Sequence, residues 1–459
     1  MGVRRTDKLA AMSSIPRQIA TIVSGRGLIR LSQFVTFVLL ARFLSPEAFG
    51  WFGILTTAFV LAATIGSLGL RQSFAYQIGQ NKMTSGEANG TMLALWPILT
   101  LMSAAAVIAL YGEAVPSISF MHASWIIFAG VAGTMFLTLV QGTFLGRGDI
   151  RSFTLSESLP RLALLLSTAA LTLLGAVTLS TALWAQVGGF VAMLPLALWL
   201  ACRGAGRLRL RFDSFLPMLG YGLIFAINLF LITLGGRLAM FVIEHHHTAA
   251  EAGQFFAAVR VNEIFLEIAT AVGMVLFSDV ARKESSQATI VRNARIGCWM
   301  LWLFMVLAVI IVISAPLFVA LTLGSGFEQA APALQILALG LGPAAANKVL
   351  YPTFAGAGKP YFGTPVIIIG IAINAALALV LVPGYGVRGG AIAVVAGQYA
   401  VFAGYILLCR TRYQVSVRTM VLPRAADARS LAANAKLRVW RKVRAAPANE
   451  HNDQVRRAE

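Results

Sequence analysis

Apolar positions dominate this chain in a regular rhythm. Twelve stretches of mostly apolar residues, near 20–43, 51–70, 91–111, 122–144, 157–176, 180–201, 215–243, 253–278, 296–321, 332–352, 362–382 and 387–409, alternate with short polar breaks. A helix of about 20 such residues crosses the hydrocarbon of a bilayer. The pattern therefore predicts an all-α polytopic membrane protein with about twelve transmembrane helices. Composition agrees: 58% of the 459 residues are hydrophobic and 12% are charged, with a mean hydropathy of +0.78. An ordinary soluble fold of this size has too little interior to hide that much apolar surface.

Charge sets the expected orientation, because cytoplasmic loops retain Lys and Arg. With the N-terminus inside, the even-numbered loops and both tails collect Arg71, Lys82, Arg147, Arg151, Arg203, Arg207, Arg209, Arg211, Arg282, Lys283 and Lys359 among others. The opposite loops hold Arg42 and Arg388. Twelve spans with both termini in the cytoplasm satisfy this asymmetry. The net charge of +19 is largely the same bias, and nothing in it reads as nucleic-acid binding. The tail from Arg410 to Glu459 carries twelve Lys/Arg against four acids, a net +8. Leu437, Trp440 and Val443 recur there at helical spacing, which suits a helix on an anionic leaflet; a solvated, disordered tail fits equally well. Cys202, Cys298 and Cys409 fall at expected cytoplasmic helix ends, so no disulfide is expected. No cleavable signal sequence is recognisable, and the first apolar stretch is expected to remain as an anchor.

An internal repeat organises the spans. Pro46-Glu-Ala-Phe-Gly-Trp-Phe52 is echoed by Ala250-Glu-Ala-Gly-Gln-Phe-Phe256, with Gly50 aligned on Gly253. Thr143-Phe-Leu-Gly-Arg-Gly148 recurs as Thr353-Phe-Ala-Gly-Ala-Gly358. Copies with the same elements on the same side of the membrane need an even number of spans per repeat, and six fits. The reading is two six-helix lobes related as a parallel pseudo-repeat, a design that places substrate between the halves. The chain then divides into an N-terminal tail 1–19, an N-lobe 20–201, a basic linker 202–214, a C-lobe 215–409 and a basic tail 410–459.

The run Leu40-Ala-Arg-Phe-Leu-Ser-Pro-Glu-Ala-Phe-Gly50, followed by a helix ending Gly66-Ser-Leu-Gly-Leu-Arg71, resembles the opening of Wzx-type polysaccharide flippases. These belong to the multidrug/oligosaccharidyl-lipid/polysaccharide exporter superfamily. Val382-Pro-Gly-Tyr-Gly-Val-Arg-Gly-Gly-Ala-Ile-Ala393 is similar to that family's turn before its twelfth span, and Gly356-Ala-Gly358 precedes its eleventh. The resemblance runs from about residue 16 to 410. It implies two lobes in a V around a central cavity, a multi-pass protein of the bacterial inner membrane, and movement of an undecaprenyl-diphosphate-linked oligosaccharide to the periplasmic leaflet. Exopolysaccharide, O-antigen or capsule synthesis would be its setting, with the lipid bilayer and polymerase or chain-length machinery as partners. Lipid II flippases of the superfamily typically have fourteen spans, whereas this chain turns basic after the twelfth, which favours the Wzx-type branch.

Candidate residues follow from charges placed where lipid makes them costly. Arg26 and Arg30 lie one turn apart in the first span and form a candidate diphosphate site, since a guanidinium offers phosphate a planar fork of donors. Arg260 in the eighth span is a third candidate, with Glu263 and Glu267 on its face as candidate proton or ion-coupling groups. The competing reading of these three is an internal ion-pair network, and of Arg26 and Arg30, snorkelling to the interface. Asn228, Lys348, Asn374 and Gln398 either line the cavity or serve as hydrogen-bond links between helices. Arg237 lies about 31 Å along a straight seventh span and is expected at the outer interface; Arg161 is expected to pair with Glu157 near the inner one. His245, His246 and His247 read as a solvated turn rather than a metal site. No catalytic nucleophile, nucleotide loop, cofactor site or metal-ligand set is recognisable.

Three other functions compete. A multidrug or organic-cation exporter of the same fold would want acids or aromatics in its cavity, where arginines predominate here. A membrane polysaccharide polymerase or ligase would want a sizeable outer loop, and these are all short. A non-transporting scaffold leaves intramembrane arginines without a purpose.

Overall fold

The computed structural model describes residues 30–116, 118–210, 215–282, 287–357 and 360–423. Within them every regular element is helical. The first lobe contains α1 (30–43), α2 (Pro46–Gly66), α3 (Leu70–Gly79), α4 (Ser85–Tyr111), α5 (Phe120–Gly146), α6 (Ile150–Leu173) and α7 (Leu179–Cys202). The second contains α8 (Phe215–Gly235), α9 (Leu238–His246), α10 (Ala249–Arg282), α11 (Gln287–Thr322), α12 (Ala330–Leu339), α13 (Leu341–Gly356), α14 (Thr364–Tyr413) and α15 (Val417–Val421).

Local chemistry sets these boundaries. Ser45 accepts from the Ala48 amide with Pro46 in the first turn of α2, and Thr84 and Glu87 close a capping box on α4. Gly69, at φ +72°, turns the chain from α2 into α3. Gly386, at φ +50°, kinks the 50-residue α14, which thereby covers the last two expected spans. Six of the helices are long and apolar enough to cross a membrane, and eight such units result if the bent pairs α8/α9 and α12/α13 each count as one. The 24-residue α6 and 34-residue α10 are also long enough, but they carry serines and charges, so composition does not single them out. Each of the twelve expected stretches is α-helical over most of its described length, with breaks at 67–69, 174–176, 236–237, 340 and 362–363.

The repeat is visible in the packing. Gly50 and Gly253 bring α2 and α10 together backbone to backbone: a Cβ at Gly50 would lie 3.0 Å from the Gly253 nitrogen, and one at Gly253 would lie 3.0 Å from the Gly50 Cα. Thr143 donates to Asn89 Oδ1 at 2.8 Å in the first lobe. Asn293 Nδ2 donates to Thr353 at 3.1 Å in the second. Both threonines head the repeated hexapeptide, so each lobe ties corresponding helices with a corresponding bond. The described part of the linker, 203–210, lies along α4, where Arg209 N donates to the Gly86 carbonyl at 3.3 Å. Residues 1–29 and 424–459, including Arg26 and the Leu437, Trp440, Val443 stripe, lie outside the described residues.

Candidate functional site

α10 supplies the backbone of the charged site. It runs from the Gly50/Gly253 crossing, and Arg260, Glu263 and Glu267 project from one side at three- and four-residue spacing. Arg260 lies about 16 Å along the helix from Ala249. Its Nη1 is 3.0 Å from Glu263 Oε2, and its guanidinium stands 5.0 Å over the Phe256 ring one turn back. Glu263 is gripped from its other side by Arg237, whose Nη2 is 3.1 and 3.3 Å from the two carboxylate oxygens.

The first lobe reaches into the same group. Arg30 of α1 contacts Glu267 at 2.7 Å and donates to Gln33 at 2.8 Å. Lys348 of α13 interacts electrostatically with Glu267, Glu263 and Arg30. Three arginines, from α1, the α8/α9 break and α10, thus pair with two carboxylates while Lys348 of α13 lies within their electrostatic reach, a formal net charge of +2. The side chains of Arg30, Glu267, Arg260 and Glu263 remain 26–37% exposed, whereas Arg237 is 11% exposed. The cluster is therefore partly exposed at Arg30, Glu267, Arg260 and Glu263 and more deeply buried at Arg237.

Arg30, Arg260, Glu263, Glu267 and Lys348 are brought together, and Arg237 joins them. That placement corrects the outer-interface expectation for Arg237. The expectation assumed a straight helix, but the chain bends by 50° between α8 and α9, and Arg237 caps α9 at the bend. The Gly235-Gly236 pair just before it was the available signal. Asn228 is fully buried. Asn374 donates to the Gly235 carbonyl, and Asn347 donates to the Gln398 carbonyl at 3.1 Å, so Asn374 and Gln398 each link two helices. Arg161 pairs with Glu157 at 3.0 Å. His247 Nε2 is 2.8 Å from the Val382 carbonyl, and among the described residues no group of three or more His, Cys, Asp or Glu is placed to hold a metal ion.

Comparison with known proteins identifies the family and the fold. The family model described as polysaccharide biosynthesis protein matches residues 15–277, more than half of the chain. The fold is similar to the lipid II flippase MurJ in its inward closed conformation, with a TM-score of 0.70 at 12% identity over 87% of this chain and 89% of that one. It is also similar to an inward-facing multidrug resistance MATE family transporter of the MOP superfamily, with a TM-score of 0.66 at 16% identity over 84% and 94%. A Vibrio cholerae MATE transporter, VcmN, gives 0.65 at 15% identity over 89% and 99%. No curated protein matches the sequence.

Proposed function

The chain belongs to the polysaccharide biosynthesis protein family, and we propose that it is a two-lobed flippase of the MOP superfamily that carries an undecaprenyl-diphosphate-linked oligosaccharide from the cytoplasmic to the periplasmic leaflet of a bacterial inner membrane. The observation that carries the reading is the net +2 cluster where the lobes meet. Arg30, Arg260, Arg237 and Lys348 outnumber Glu263 and Glu267, and a diphosphate supplies the missing negative charge. Guanidinium groups suit that role because their donors pair with phosphate oxygens in the plane of the fork.

The Arg30 to Glu267 pair joins the two lobes, so it has to break when they rock apart. A diphosphate that takes Arg30 and Arg260 releases Glu267 from Arg30 and leaves Glu263 with Arg237, and a carboxylate that has lost its guanidinium inside a membrane protein favours taking up a proton or a cation. In this reading the carboxylates couple occupancy to the transport cycle. The positive-inside charge distribution supports cytoplasmic termini.

The test is surface polysaccharide in a deletion strain complemented at matched protein level. Arg30→Ala is expected to abolish export while the protein still inserts. Losing one charged hydrogen-bonding partner in such a site costs about 2–5 kcal/mol, more than a tenfold loss of binding. Arg30→Lys is expected to restore export only partly, since it keeps charge and loses the fork. Normal export from Arg30→Ala/Arg260→Ala, with uptake of a cationic dye into vesicles, would replace this reading with the multidrug exporter.

A further inference from the structure

α6 carries a second group of intramembrane charges that the proposed function leaves unused. Three stripes run along this helix. Leu155, Leu166 and Leu173 are 43, 70 and 89% exposed and form the stripe suited to lipid, while Ser152 and Ser156 are buried. Phe153, Glu157 and Arg161 recur every four residues on the remaining side, partly open. Arg161 Nη1 lies 3.0 Å from Glu157 Oε1. Arg71, in the first turn of α3, holds its guanidinium 5.7 Å over the Phe153 ring and interacts with the Glu157 charge. Glu157 thus pairs with Arg161 and lies one helical turn from the ring that Arg71 covers.

The group carries a cost that function can explain. Arg161 and Glu157 pair within one helix, and each is an ionised group on a membrane-length helix, where such groups are expensive. Location points the same way. Arg71 follows Gly69 by two residues, and the Gly69 backbone packs directly on the Gly222 backbone of α8 in the other lobe. Arg161 lies about 16 Å along α6 from Ile150. Arg71 therefore stands beside a junction of the lobes, with Glu157 and Arg161 following Phe153 one and two turns along α6.

We infer that Arg71 and Arg161 form a second anion subsite on the first-lobe wall, which takes a phosphate group of the transported headgroup in exchange for Glu157. The ligand's identity rests on the proposed function; the subsite rests on α3 and α6. The guanidinium groups bind the phosphate oxygens as a charge-assisted pair, and Glu157 holds the two cations when no ligand is present.

The experiment is calorimetric titration of the purified full-length protein with inorganic pyrophosphate at low salt. Two sites are expected. Arg71→Gln/Arg161→Gln is expected to leave one, and Arg30→Gln/Arg260→Gln to leave the other. Glu157→Gln is expected to tighten the α3/α6 site severalfold, because the competing carboxylate is gone; a merely structural pair gives no such gain. Arg71→Lys/Arg161→Lys should keep the site with weaker binding. Two unchanged sites in Arg71→Gln/Arg161→Gln, or no gain in Glu157→Gln, overturns the subsite. A single site removed only by Arg30→Gln/Arg260→Gln also overturns it while leaving the central reading intact. A single site removed only by the α3/α6 variant supports the subsite and overturns the central reading, and absence of saturable binding to the unaltered protein overturns both.

Discussion

Arg237 grips both carboxylate oxygens of Glu263, at 3.1 and 3.3 Å, from a bend between two helices that length alone would have carried past it. This pair has the most buried of the cluster's three arginines, with Arg237 11% exposed. Arg237→Ala leaves Glu263 partly desolvated with Arg260 as its remaining guanidinium contact. Breaking a buried pair costs about 3–5 kcal/mol and an exposed one much less; the 37% exposure of Glu263 argues for about 1–3 kcal/mol here. A lowered melting temperature of the purified protein is the expected result, with Arg237→Lys intermediate.

The carboxylates separate a coupling role from a structural one. Glu263→Gln and Glu267→Gln are expected to slow export at matched protein level more than they weaken pyrophosphate binding. A structural pair would instead lower protein level or melting temperature. Export unchanged across pH 6 to 8 in both single variants and the double variant would exclude a relay at these positions.

Sidedness is tested by reporter fusions. Fusions after residues 80, 205, 285 and 415 are expected to read cytoplasmic, and those near 115, 248 and 326 periplasmic. The matched copies at Gly50 and Gly253, and at Thr143 and Thr353, need the same sidedness in both lobes, so one inverted interior pair would break the six-plus-six arrangement.

The lobes were legible because lipid forces long apolar runs and because the repeat preserved glycines whose role is steric. Arg30, Arg260, Glu263 and Glu267 were legible for a related reason: an ionised group in an apolar run has few inexpensive explanations. Arg237 was misread because helix length gives depth only in a straight helix, and a 50° break turns distance along the chain into distance across the protein. The ambiguity of Asn374 and Gln398 was inherent, since an amide facing a cavity and an amide bonding a neighbouring helix look alike in sequence. The bonds from Asn374 Nδ2 to the Gly235 carbonyl and from Asn347 Nδ2 to Gln398 Oε1 depend on helix register across the lobe, which no local pattern encodes.

The linker gives a further test. Gly86 and Gly90 stand one turn apart on α4, and the carbonyls of Ala205, Arg207 and Arg209 lie where their Cβ atoms would be. The segment after the first lobe's last helix is thus seated on α4, and the bond from Asn89 to the Ala201 carbonyl at 2.9 Å holds it nearby. Gly86→Leu/Gly90→Leu is expected to unseat residues 203–210 and expose the Arg207 peptide bond to trypsin in the folded protein. Protection equal to that of the unaltered protein would mean that the glycine groove does not hold the segment.

The crossing of α2 and α10 supplies the sharpest steric prediction. The Gly50 Cβ position collides with the Ala249 carbonyl, and the Gly253 Cβ position with the Pro46 carbonyl. These are backbone atoms at helix starts, so no side chain can swing aside. A β-branched residue at either site has to push the lobes apart at the end where Phe49 also meets Phe256 and Phe327, with ring centroids 5.4 and 5.3 Å apart. Gly50→Val and Gly253→Val are therefore expected to abolish export at matched protein level, by holding open an end that alternating access must close. Gly188→Ala is the control, because nothing lies within 4 Å of its Cβ position. A cysteine-reactive probe that cannot cross the membrane, tested on Phe256→Cys, should label the Gly50→Val protein faster than the unaltered background. Full export from Gly50→Val would show that this glycine contact is not the closing point between the lobes.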